Sequence, residues 1–146
     1  MDNHTTPRVV VTGLGLVTPL GLDVATSWRN MVNGVSGAGP LTRFDASGYA
    51  VRIAAEVKDF NPEAYPDVME KKEAKRWDRA IQFTVVAAAE ALKHSGLQID
   101  DGNADEIGVL VGTGIGGLNA VNEAADTLHA KGPMRVSPFT STNMLP

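Results

Sequence analysis

The chain is 146 residues long, 43% apolar and 21% charged, with thirteen Lys and Arg against seventeen Asp and Glu, a net charge of −4, and no cysteine. A domain near 150 residues buries about 68–70% of its unfolded surface, so this length can enclose a core without staples. The missing cysteine excludes a disulfide framework, a thiolate metal cluster and a cysteine nucleophile within these residues, and the acidic balance excludes a global basic field for nucleic acid.

Residues 1–7 read as a short polar tail, without the basic and apolar regions of a secretory signal. Apolar stretches such as Val85 to Ala89 are far shorter than the ~20 residues that cross a bilayer, so no membrane contact and a cytoplasmic location are expected. Arg8-Val9-Val10-Val11-Thr12 is a β-branched run that predicts a strand covered on both faces. A breaker-rich loop follows from Gly13 to Gly21. Asp23 is placed to cap a helix that runs to Asn33, with Gly34 in the left-handed position at its end and Leu20, Val24, Trp28 and Met31 or Val32 on one buried face.

From Gly34 to Tyr49 the composition predicts a long surface loop, and Val51, Ile53, Ala55 and Val57 then alternate as a half-exposed strand. After turns over Phe60 to Met69, one continuous helix is expected from about Glu70 to His94, closed by Ser95-Gly96. Its apolar stripe is Trp77, Ile81, Val85, Ala88 and Leu92, and its alanines permit close packing. Past a polar connection, Ile107 to Val111 predicts a second apolar strand, then a glycine-rich turn from Gly112 to Gly117 and a helix from about Leu118 to Ala130 closed by Gly132-Pro133. Met134 to Pro146 has no strong periodicity and ends like a cut chain. Alternating strands and helices imply an α/β fold with some parallel pairing.

Gly112-Thr113-Gly114-Ile115-Gly116-Gly117 satisfies the G-x-G-x-x-G fingerprint of dinucleotide-binding turns, in which a helix N-terminus holds pyrophosphate. The acid that should follow about twenty residues later is missing, because the chain there reads Lys131-Gly132-Pro133-Met134-Arg135. Lys71, Lys72, Lys75 and Arg76 form the densest positive cluster, with 72, 75 and 76 on one helix face. Two readings stand side by side: a solvated face with Glu70 and Glu73 as local partners, or a docking patch for an acidic protein. His4, His94 and His129 lack partners at metal-ligand or triad spacing, so no residue is assigned to catalysis, metal binding or a cofactor.

Taken in order, Arg8-Val9-Val10-Val11-Thr12-Gly13-Leu14-Gly15, Thr18-Pro19-Leu20-Gly21, Trp28, Ser36-Gly37, Phe44-Asp45, Lys58-Asp59-Phe60, Gly112 to Gly117 and Gly132-Pro133-Met134-Arg135-Val136-Ser137-Pro138-Phe139 resemble the opening of an elongating β-ketoacyl-[acyl-carrier-protein] synthase. The resemblance spans about Arg8 to Pro146. It implies a thiolase-like fold, an αβαβα sandwich of two related α/β halves, of which residues 8–146 would be the first part of the N-terminal half. It also implies a homodimer and decarboxylative Claisen condensation, with an acyl thioester on a cysteine, malonyl carrier protein as carbanion source, and two histidines stabilising the developing charge. By the same resemblance that cysteine and both histidines lie beyond Pro146, so the isolated chain is expected to be inactive.

Three positions carry over. Ile115 matches a residue that lines and gates the acyl-chain pocket. Phe139 matches a position near that pocket at the dimer contact. Lys72, Lys75 and Arg76 match the basic face that receives the carrier protein, while Thr140 to Met144 is shorter than the family's segment. Two rivals remain: a non-catalytic partner subunit of the same fold, similar to chain-length-determining relatives, and a dinucleotide-binding module using Gly112 to Gly117.

Overall fold

A computed structural model describes residues 7–144. The polar tail expected over residues 1–7 therefore lies, apart from Pro7, outside the described residues, as do His4 and the last two residues.

Helix α1 spans Val24–Val32. Asp23 caps it as expected, accepting from the Thr26 N–H, and Gly34 turns the chain out at φ 69°. Its buried face differs from the expected one: Trp28 is 62% exposed and Met31 56%, whereas Ser27 is only 1% exposed. The reason is polar. Ser27 Oγ lies 2.9 Å from Thr18 Oγ1 and donates to the Gly21 carbonyl, which fastens α1 to a tight turn closed by mutual Thr18 and Gly21 backbone hydrogen bonds.

The expected long loop contributes a short strand, β1 (Ala38–Pro40), which pairs antiparallel with β2 (Ile53–Ala55) in the register Ala38 to Ala55 and Pro40 to Ile53. The alternation expected over 51–57 holds only across 53–56, and there its inward phase is reversed, with Ile53 65% exposed and Glu56 9%. Glu56 faces inward because its carboxylate collects the loop at Thr42 and Arg43, accepting from both backbone N–H groups at 3.0 and 3.1 Å and from the Thr42 hydroxyl at 2.7 Å.

The single helix expected over 70–94 is two helices, α2 (Lys71–Arg76) and α3 (Arg79–Ser95). Trp77 and Asp78 between them are extended, with ψ of 141° and 153°. Asp78 caps α3 through the Ala80 N–H, and Gln82, 8% exposed, turns its amide back to donate to the carbonyls of Ala74 and Trp77. Those are carbonyls that a helix end leaves without a partner, so Gln82 satisfies part of the break from within α3. Gln82 and Val86 are the buried line of α3, rotated from the expected stripe.

Around the break sits the core: Phe60, Met69, Ala74 and Val86, with Val17, Leu22, Val57, Tyr65, Val68, Trp77 and Phe83 packed on it. Phe60 meets Phe83 edge-on at 4.8 Å, and the Arg79 guanidinium lies 4.8 Å from the Phe83 centroid while donating to the Val57 carbonyl. The alanines of α3 permit close packing as expected, and the occupant is the N-terminal loop. A side chain at Gly13 would collide with the Ala91 carbonyl, and one at Gly15 with that of Ala87.

Neither Arg8–Thr12 nor Ile107–Val111 forms a strand among the described residues. Thr12 and Ile107–Leu110 line one groove with Ala88, Ala91 and Leu92, and neither segment pairs in the sheet. Their apolar side chains are consequently open, with Val9 92%, Val109 88% and Leu110 99% exposed. Beyond them come α4 (Leu118–Lys131), closed by Gly132, a 3₁₀ turn at Pro133–Arg135, and α5 (Thr140–Met144), which packs against α4. No helix among the described residues is long and apolar enough to cross a membrane.

Candidate functional site

The basic cluster is placed by local capping. Glu70 and Glu73 do not pair with the lysines; they form a reciprocal cap at the start of α2, in which the Glu73 carboxylate accepts from the Glu70 N–H at 3.0 Å. Lys71 reaches back to Glu63 at 3.4 Å. Lys72, Lys75 and Arg76 remain exposed, with no acidic partner within 4.0 Å among the described residues. The positive face is thus left without help from Glu70 and Glu73, which are spent on helix geometry.

Two of the expected site residues meet. The Arg76 guanidinium lies over the Phe139 ring, 4.7 Å from its centroid, and Phe139 is 44% exposed beside it. Such a stack holds a cation over the negative face of the ring and orients the guanidinium. Lys75 and Arg76 form one wall of a groove whose other wall is α4, the 3₁₀ turn and α5, with Ala120, Glu123, Arg135 and Asn143 along it. Arg79 and Arg135 add further cations along it.

Ile115 stands apart. It is 76% exposed on the glycine-rich turn, so the described residues do not enclose it. The turn itself is anchored at its far end: Gly117, at φ 74°, is the N-cap of α4, and a side chain there would overlap the Asn143 carbonyl and the Met144 backbone. A dinucleotide fingerprint uses its third glycine to pack a helix onto a strand. Here the partner is α5, and no paired strand precedes the turn.

Sequence reasoning did not single out Asn143 or Arg135. Asn143 links the two helices of the broken segment, donating from Nδ2 to the Arg76 carbonyl at 2.9 Å and accepting at Oδ1 from the Asp78 N–H at 3.2 Å. The signal for the break was present, since Asp78 is a helix-capping residue set inside a helical pattern. His94, assigned no catalysis, accepts at Nδ1 from the Leu14 N–H at 3.1 Å and so ties α3 to the N-terminal loop.

Residues 6–146 match the family model described as the N-terminal domain of beta-ketoacyl synthase. The 3-oxoacyl-[acyl-carrier-protein] synthase 2 of Staphylococcus aureus (strain N315) is 48% identical over 139 residues, covering 95% of this chain and 33% of the relative. Its counterpart from Synechocystis sp. (strain ATCC 27184 / PCC 6803 / Kazusa) is 48% identical over 145 residues, covering 99% and 34%. Among solved structures, the ishigamide ketosynthase/chain length factor superposes with a TM-score of 0.71 at 29% identity, covering 92% of this chain and 33% of that one. A type II polyketide acyl-carrier protein complex with its ketosynthase gives 0.65 at 24% identity, covering 94% and 35%, and shares the fold. The α/β, thiolase-like ketosynthase fold is thereby established, and the chain spans about a third of the length of these relatives. By sequence and by fold, the chain belongs to the β-ketoacyl synthase family, its residues 6–146 matching within the family's N-terminal domain.

Proposed function

We propose that this chain supplies the carrier-docking face, and part of the acyl-pocket lining, of a β-ketoacyl-[acyl-carrier-protein] synthase of fatty acid or polyketide synthesis. The observation that carries this reading is the face of α2, where Lys72, Lys75 and Arg76 are exposed and unpaired among the described residues while Glu70 and Glu73 are held in the cap. A local cluster of this kind steers an acidic protein partner even when the whole chain is acidic. The printed names of the relatives support the choice of an acyl carrier protein as that partner.

In the reaction so assigned, malonyl carrier protein loses carbon dioxide, the resulting carbanion attacks the carbonyl of an acyl thioester, and the cysteine thiolate departs as the new carbon–carbon bond forms. This chain has no cysteine to hold the acyl group. Its residues bind and orient: the α2 face positions the carrier, and Phe139 and Ile115 line the acyl path. We assign the cysteine and the two histidines to the rest of the enzyme, with 8–146 as part of its N-terminal domain, 1–7 as a tail, a homodimeric assembly and a cytoplasmic setting, and no metal or cofactor.

The test is charge reversal in the full-length protein. Replacing Lys72, Lys75 and Arg76 with Glu should weaken carrier binding at least tenfold at low salt, with the difference shrinking as ionic strength rises. Unchanged affinity at low salt would return the cluster to a solvated face. A second reading, a non-catalytic partner subunit, is favoured by the likeness to a ketosynthase/chain length factor. Co-purification with a longer synthase chain, and no turnover without it, would select that reading.

A further inference from the structure

Three observations converge on Asn143. Its side chain spans the break between α2 and α3, donating to the Arg76 carbonyl and accepting from the Asp78 N–H. One turn before it, Phe139 lies beneath the Arg76 guanidinium and passes its carbonyl to the Asn143 N–H at 3.0 Å. The backbone of Asn143 and Met144 fills the space beside Gly117, the last residue of the turn that carries Ile115. A carboxamide offers a donor and an acceptor on one planar group. That matches a helix break, which presents a carbonyl from the helix that ends and an N–H at the start of the next.

We propose that Asn143 is a positioning residue that couples the basic face of α2 to the glycine-rich turn, so that engagement of Arg76 is felt at Ile115. The proposal rests on the reading of α2 as a docking face for the identity of what engages Arg76, and on geometry alone for the coupling. An acidic group that takes the guanidinium draws it away from the Phe139 ring. Asn143 keeps the backbone of residues 76–78 joined to α5 during that change, and α5 bears directly on Gly117. The basic face and the turn therefore shift together.

The experiment uses the full-length protein carrying fluorinated phenylalanine and ¹³C-methyl isoleucine, with the Phe139 and Ile115 signals assigned by Phe139→Leu and Ile115→Val. Without any partner, Arg76→Gln should move both signals; in an Asn143→Ala background it should still move Phe139, while the Ile115 shift falls at least threefold. Saturating apo acyl carrier protein should likewise move Ile115, with the same loss in Asn143→Ala. Asn143→Asp, which keeps the acceptor for Asp78 and loses the donor to Arg76, should give an intermediate response, and it carries the test alone if Asn143→Ala does not fold. An Ile115 shift of equal size in both backgrounds overturns the coupling. Failure of the carrier to bind the unmodified protein overturns the docking reading and leaves the partner-free comparison to decide the coupling.

Discussion

Glu90, on α3, holds the first backbone N–H of α1: its Oε1 accepts from Val24 at 2.9 Å, and its Oε2 accepts from Leu16 at 2.9 Å. One carboxylate thereby fixes both a helix start and the loop that leads to it, at sites of half-burial. Glu90→Ala leaves both donors without a protein partner and should destabilise the protein by about 1–3 kcal/mol. Urea denaturation checks this through a lower midpoint at unchanged m value. An unchanged midpoint would mean that water replaces the carboxylate without loss.

Glu56 makes stability depend on acid. Hydrogen bonds from the Thr42 hydroxyl, the Thr42 N–H and the Arg43 N–H hold its carboxyl below the usual value of 4.5, against a smaller opposing effect of burial. A carboxyl that is depressed in the folded state adds stability above its unfolded pKa and loses that contribution as pH falls through its folded value. Thermal midpoints followed downward from pH 6 should therefore fall more steeply for the native protein than for Glu56→Gln, with the divergence starting near pH 4.5. Parallel curves would contradict the assignment.

How far the sequence discloses this fold depends on whether a segment's partner is local. The Asp23 cap, the Gly34 and Gly96 helix ends and α4 were legible because each rests on neighbours a few residues away. Arg8–Thr12 and Ile107–Val111 do not form the strands that their residues predict, because pairing depends on what lies alongside, and periodicity says nothing of that. The inward turn of Ser27 and Glu56 was hidden for a related reason. A polar side chain chooses a face by the hydrogen bonds that await it there, and those come from Thr18, Gly21, Thr42 and Arg43. Within the site, the residue types of the basic face were readable, but its meeting with Phe139 is a contact across more than sixty positions of sequence.

Two glycines separate backbone strain from crowding. Gly34 and Gly117 share a positive φ, 69° and 74°, yet an added methyl at Gly34 meets open space while one at Gly117 meets Asn143. Gly34→Ala should cost about 1 kcal/mol, the ordinary left-handed penalty. Gly117→Ala should cost roughly twice that or more, because α5 must also move. Paired denaturation curves measure the difference, and equal losses would show that α5 yields freely.

The open apolar segments predict association of the 146-residue chain on its own. Val9, Val109 and Leu110 are nearly fully exposed on segments that join no sheet, which offers apolar surface and unpaired backbone to another copy. Sedimentation velocity should show concentration-dependent oligomers that Val9→Lys together with Leu110→Lys reduces. A monomer at all concentrations would refute this.

Where Gly13 and Gly15 press on the carbonyls of Ala91 and Ala87, main chain touches main chain with no side chain between. The distance from the N-terminal loop to α3 is then fixed by the thickness of two backbones, a quantity no substitution can shorten. Variation among relatives that tunes the site must enter through other joints, because at this one every change is an enlargement. In a saturation scan, positions 13 and 15 should tolerate no residue other than glycine, whereas the open positions Gly39, Gly48 and Gly108 should accept alanine with little loss.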